Sequence, residues 1–232
     1  MAAERLMRIL GLLAAKDGSV PRRLCEVAAE VTAMSGAGVM LLSDDRPQAS
    51  ICTTDAVSSL IEEVQYTVGE GPCVDAHRLG TVIVEADLAG SAARRWTEFS
   101  PRAVDAGARA VFGFPIRVGA VRLGALNLYR NRAGPIGDEE HAAALVVADV
   151  AARSVLTAQA NAAPGELSAD LGTETHLWGV VHQAAGMVSV QLGIPVAEAL
   201  VRLRARAFAS NQVVSNVARD VVERRIRFSA ED

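Results

Sequence analysis

Lysine is almost missing from this chain. One, Lys16, occurs in 232 residues. A strand-end acidic pair, Asp44-Asp45, would suit a phosphoacceptor site. That chemistry needs a further aspartate and a lysine after later strands, and Lys16 precedes them all, so aspartyl phosphorylation is excluded as the input. Aromatic residues are also scarce, at 4%, which argues against an aromatic-rich β-sandwich. The three cysteines, Cys25, Cys52 and Cys73, are far apart and form no CxxC pair. They are expected to be reduced thiols rather than a disulfide framework. No apolar run approaches the roughly 20 residues that span a bilayer. The N-terminal stretch is broken by Glu4, Arg5 and Arg8, and Leu6, Ile9, Leu10 and Leu13 form the stripe of an amphipathic helix. It lacks the clean apolar centre and cleavage site of a signal peptide. A soluble cytoplasmic protein with no membrane contact is expected. There is no GxxxxGK[ST] loop, HExxH, GxSxG elbow or kinase motif set. Catalytic activity, a cofactor and a metal are therefore not expected. Cys73 and His77 stand four apart, but no further ligand falls at metal-binding spacing.

What is present is apolar and aliphatic. Hydrophobic residues make up 50% of the chain, much of it Ala and Val. Helical stripes are predicted from Pro21 to about Met34, from Asp55 to Tyr66, from Pro72 to Leu79, around Trp96 to Ala106, and from Asp138 onward. Between them lie strand patterns at Val39–Leu42, Gln48–Thr53, Thr81–Val84, Ala110–Val118 and Leu123–Tyr129. The segment from Asn161 to Thr173 is rich in Ala, Gly, Pro and Ser and reads as a linker. Beyond it only helices are predicted, roughly Glu174 to Leu192, one opened by Pro195, and one starting at Asn211 or Ser215. Leu177, Val181, Ala184 and Val188 are spaced like a heptad seam. Three short helices bury little surface alone, so the seam implies a homodimer.

Charge is uneven. Residues 1–173 carry 16 Arg+Lys against 21 Asp+Glu, whereas residues 202–227 carry seven Arg against Asp220 and Glu223. A basic segment on an acidic chain suggests a local polyanion contact, and a solvated helix face with salt bridges is the plainer alternative.

Residues 20–158 resemble a GAF domain. The resemblance rests on Gly69-Glu70-Gly71-Pro72-Cys73 with Ala76, on Val82-Ile83-Val84, Asp87-Leu88 and Trp96, on Gly107 with Pro115, and on Gly124-Ala125-Leu126-Asn127-Leu128-Tyr129. It implies an α+β domain, an antiparallel sheet flanked by helices, with a small-molecule pocket between sheet and helices. Tyr66, Cys73, Trp96, Phe112 and Phe114 are the candidates to line it, with plain core packing as the alternative for each. Cys52 and Cys73 are also candidate redox thiols, against an inert packing role. Residues 174–228 resemble the ANTAR module of bacterial antiterminators, carried by Gln183-Ala184-Ala185-Gly186-Met187, Glu198-Ala199, Leu203-Arg204, Ala207, Asn211, Val217-Ala218 and Val221. This implies a small all-α three-helix domain that binds RNA hairpins as a dimer. Where that family often has Ala-Lys-Gly, this chain has Ala184-Ala185-Gly186. Gln183, Arg202, Arg204, Arg206, Asn211 and Arg219 are the expected RNA contacts. Guanidinium groups can fork onto phosphate and stack on unpaired bases; Asn211 can instead be a helix cap. The expected organisation is a sensor domain with its N-terminal helix over 1–160, a linker over 161–173 and the RNA-binding module over 174–232. The rival is an interaction protein whose C-terminal helices contact a protein partner.

Overall fold

The computed structural model describes residues 2–43, 46–90, 95–160 and 176–229. The linker at 161–173 lies outside the described residues. The first helices are α1 (Ala2–Ala15) and α2 (Val20–Val31). Ser19 caps α2 by accepting from the Arg22 amide, and Pro21 sits in the first turn, where a missing N–H is harmless. Strands β1 (Gly36–Ser43) and β2 (Arg46–Thr53) follow, then α3 (Ala56–Val68), α4 (Pro72–Leu79), β3 (Ile83–Glu85), α5 (Phe99–Asp105), β4 (Ala110–Val118), β5 (Val121–Arg130) and α6 (Asp138–Gln159). The five strands form one antiparallel sheet in the order β2-β1-β5-β4-β3.

The alternation of side chains along each strand divides the interior in two. Phe112, Phe114, Ile116, Leu126 and Leu128 face α1, α2 and α6. Val111, Ala125, Tyr129 and Met40 face α3, α4 and α5. α6 is long and apolar enough by composition to cross a bilayer, which the sequence pattern did not anticipate. In this fold its Ala144, Val147, Ala151 and Val155 are buried against the sheet.

One expectation about the cysteines is overturned. Cys25 of α2 and Cys52 of β2 are joined by a disulfide across 27 residues of sequence, and only Cys73 is a free thiol. Spacing could not show this, because the pair meets only when α2 lies back across the hairpin.

The C-terminal helices are α7 (His176–Leu192), α8 (Val196–Ala209) and α9 (Val214–Val222). Val181, Ala184 and Val188 are fully buried against Ala199, Leu203, Val217 and Val221 of the same chain. From Val181 to Val188 the heptad-like seam is thus filled from within the chain, and the side chain of Leu177 lies outside the described residues. Ala185 is buried as well, so a lysine there would have its ammonium in an apolar core.

Candidate functional site

The Gly69–Cys73 loop is a structural joint. Gly69 ends α3 in the left-handed conformation, φ 75°, donating its amide to Gln65. Glu70 reaches across to the start of α5, where its Oε1 accepts from the amides of Glu98 at 2.6 Å and Phe99 at 2.8 Å. Gly71, at φ 136°, leaves no room for a side chain, since a Cβ would lie 2.5 Å from the Gln65 side chain. Pro72 opens α4, and the Cys73 amide donates to Gln65 Oε1 at 2.7 Å. One pentapeptide therefore fixes α3, α4 and α5 relative to each other. Asp75 extends the joint: it accepts from Arg78, from Arg95 and from Trp96 Nε1 at 3.0 Å. Replacing Glu70 by alanine removes the cap of α5. Stability should drop by about 1–2 kcal/mol, read as a lowered urea midpoint with unchanged slope.

Under this joint lies a buried polar centre. Gly38 of β1, Asn127 of β5 and Gly113 of β4 stand side by side in register. The Asn127 side chain is fully buried, and neither its Oδ1 nor its Nδ2 has a hydrogen-bond partner. Over Gly38 stands Glu62 of α3, with Oε1 2.2 Å from where a glycine Cβ would be. Both Glu62 oxygens and Gln65 Nε2 are also buried without partners. Burial raises the Glu62 carboxyl from 4.5 to about 8. The Ser50 hydroxyl beside it offsets part of this rise. At neutral pH Glu62 is therefore a neutral acid, able both to donate and to accept. Cys73 is buried beside this group; burial, then the Glu62 charge, pushes its thiol far above the usual range, so it is a poor nucleophile.

A buried polar atom left unpaired typically costs about 1–3 kcal/mol. Five such atoms from one helix and one strand mark a place built for something polar. Sequence reading did not select Glu62, Gln65 or Asn127. A signal existed: Ser58, Ile61, Glu62 and Gln65 share one helical stripe, so two long polar side chains occupy the buried face of α3.

The predicted pocket residues are not gathered here. Cys73 adjoins the centre, and Trp96 packs near it, edge-on to Phe99. Phe112 and Phe114 lie on the opposite face of the sheet, Phe112 beneath Arg130 and Phe114 against His141. Tyr66 points away from the sheet into the core of the C-terminal helices, where the Arg204 guanidinium lies 4.1 Å from its ring centroid. A groove of about 550 Å³ opens elsewhere, between β3, the β4–β5 turn and α6, bordered by Thr81, Pro115, Arg117, Leu145 and Asp149. None of the predicted pocket residues borders it.

The predicted RNA contacts divide into two sets. Gln183, Arg202, Arg206 and Arg219 are exposed. Arg202 is in loose contact with Glu198 at 3.8 Å, and Arg219 donates to Asn216 at 3.1 Å. Arg204, half-buried, packs on Tyr66 of the N-terminal domain, and Asn211, itself exposed, is tied to that domain through Arg102. Asn211 follows α8 in the left-handed region at φ 51°, a conformation asparagine tolerates, and its Oδ1 accepts from Arg102 of α5 at 3.1 Å. Further basic charge on this module is partly neutralised, since Arg225 pairs with Asp220 and Glu223.

The GAF domain family matches residues 19–155. No curated protein matches the chain. Among solved structures, the chain is similar to the GAF domain from a phosphoenolpyruvate-protein phosphotransferase of Coxiella burnetii, at 17% identity and TM-score 0.51, covering 68% of this chain and 95% of that one. It is similar also to the GAF domain from an Acinetobacter phosphoenolpyruvate-protein phosphotransferase, at 13% identity and TM-score 0.50, covering 69% and 96%. At these identities the likeness concerns the fold.

Proposed function

The chain belongs to the GAF domain family, a family of signal-sensing and regulatory domains, and on that premise we propose that it is a cytoplasmic, non-catalytic regulator that binds RNA hairpins in transcription antitermination. The observation that carries the RNA half is the exposure of arginines on α8 and α9: Arg202 and Arg206 lie one helical turn apart, and Arg219 lies on the neighbouring helix. Guanidinium groups so placed can fork onto phosphates and stack on loop bases. The sensing half is assigned to the polar centre. Its unpartnered donors and acceptors suit a small polar molecule with both kinds of group, and none of Glu62, Gln65 and Asn127 carries a positive charge to hold an anion. Because the seam of α7 is filled within the chain from Val181 to Val188, a homodimer would use α1 and α6, where Met7, Leu10, Leu145 and Leu156 are exposed.

The test is binding to tandem RNA hairpins by fluorescence anisotropy across a salt series. Reversing Arg202 and Arg206 to glutamate should weaken binding at least tenfold and reduce the salt dependence by roughly one unit of slope per lost phosphate contact. Equal binding to duplex DNA, or no binding at low salt, defeats the RNA reading. The second reading, contact with a protein partner, is favoured by one observation: Arg204 and Asn211 are already engaged with a protein surface. Function that survives the charge reversal would support it.

A further inference from the structure

α3 has two working faces. The inner face carries Glu62 and Gln65 into the polar centre. The outer face carries Glu63, Tyr66 and Thr67, and each of these holds the C-terminal module. Thr67 Oγ1 accepts from the Val214 amide at 3.2 Å, and Glu63 Oε1 accepts from the Ser215 amide at 3.1 Å. These are first-turn amides of α9, whose own N-cap residue, Val213, supplies no side-chain cap. An α-helix leaves such amides without internal partners, so α9 is capped by the other domain. Burial raises the Glu63 carboxyl above its ordinary range, and the Ser215 contacts and the nearby Arg219 of α9 offset part of this. Tyr66 lies under Arg204, which also donates to its hydroxyl, the contact that phenylalanine would lack, and Arg102 of α5 holds Asn211.

We propose that the outer face of α3 is a latch that docks the C-terminal module with Arg204 stacked on Tyr66 and Asn211 held by Arg102, so that docking and full RNA engagement compete for the same two side chains. This rests on the RNA-binding reading given above. The latch shares its helix with the polar centre. The Glu62 carboxyl fills the space over Gly38, and the Pro72 carbonyl comes within 2.4 Å of a Cβ position on Gly113. A ligand that enters over Gly38 or Gly113 therefore has to displace α3 or α4. Lifting α3 moves Glu63, Tyr66 and Thr67 with it. The signal and the module thus meet on one rigid element, which is what a coupling between two sites requires.

The experiment uses the full chain with two latch variants, Glu63→Ala combined with Thr67→Ala, and Tyr66→Phe combined with Arg102→Ala. Neither pair leaves a large cavity. Hydrogen exchange at the Val214 and Ser215 amides reports docking, and anisotropy of labelled tandem hairpins reports RNA binding. Faster exchange together with at least tenfold tighter RNA binding is expected, still abolished by Arg202→Glu with Arg206→Glu. In the wild-type chain, saturating RNA should also speed exchange at both amides, because linkage is reciprocal. Unchanged exchange in both variants overturns the latch. Faster exchange with unchanged or weaker RNA affinity overturns the competition. Faster exchange when neither the wild type nor any variant binds hairpins supports the latch as a docking device and overturns the RNA reading instead.

Discussion

Replacing Glu62 by glutamine should make the protein more stable at pH 8 and leave it almost unchanged at pH 4. Glu62 titrates about an ordinary 4.5 in the unfolded chain and is raised to about 8 in the fold by burial. Below 4.5 both states carry the proton and the buried carboxyl is neutral. As pH rises past 4.5 the unfolded chain releases its proton while the folded chain keeps it, so the unfolded state gains ground. The loss grows until pH passes about 8, where the folded group ionises too and the difference levels off. A separation of this size corresponds to roughly 4–5 kcal/mol between the ends of the window. Glutamine keeps the shape and polarity of the neutral acid and cannot ionise, so this loss disappears and the gap between the two proteins should open across the same window. Urea midpoints measured for both proteins at pH 4, 6 and 8 check this. Parallel pH profiles would mean that Glu62 is not held neutral in the fold and that the polar centre is wetter than its geometry shows.

Local pattern carried the fold well wherever a local cause sets the structure. α4 runs from Pro72 to Leu79 as its sequence signals predict, because Pro72 can only start a helix and Gly80, at φ 67°, ends it. The alternation of β4 and β5 made both strands legible, but not which of their faces meets which helix. Parity therefore decided against Phe112 and Phe114 as neighbours of the polar centre: they are two residues apart and share one face, while Gly113 between them looks the other way. The seam of α7 shows the same limit. Periodicity says that Val181, Ala184 and Val188 are covered and is silent on what covers them, and here α8 and α9 of the same chain do.

The candidate sites were less legible because they are made of long-range contacts. The polar centre joins Glu62 to Asn127, and each residue alone looks like a surface residue of its element. The latch joins residues between 109 and 152 positions apart, with the Arg102–Asn211 contact at the near end and Glu63–Ser215 at the far end. Tyr66 is expected to line the small-molecule pocket that the GAF resemblance implies, yet it lies one helical step around from Gln65 and so belongs to the outer face. Glu62 and Gln65 on an otherwise buried stripe were the one local clue. Buried long polar residues are uncommon unless paired, which makes that clue worth reading in other sequences of this kind.

The polar centre also depends on a glycine whose role is steric, and Gly113→Ala should be among the most damaging single substitutions in the chain. A Cβ at Gly113 would stand 2.4 Å from the Pro72 carbonyl oxygen, 2.8 Å from its carbon and 3.2 Å from the Ala76 Cβ. Two of these are backbone atoms at the start of α4, so no side-chain rotation relieves the clash. β4 cannot retreat either, being paired to β3 through Ile83 and to β5 through Asn127. α4 must move away from the sheet, against the bond from the Cys73 amide to Gln65 and those that Asp75 of α4 accepts from Trp96 and Arg95. Overpacking a tight interior typically costs about 1–3 kcal/mol, and the backbone contacts place this case at the upper end or beyond. For a chain of this length, about 3 kcal/mol lowers the melting temperature by roughly 6–12 °C. The control is Gly186→Ala in α7, where nothing lies within 4 Å of the new Cβ. There, alanine should stabilise by up to about 1 kcal/mol through helix propensity. Thermal melts of the two variants beside the wild type decide the matter. If Gly113→Ala melts with the wild type, α4 is loosely seated on the sheet, and the close seating that makes ligand access depend on moving α3 or α4 does not exist.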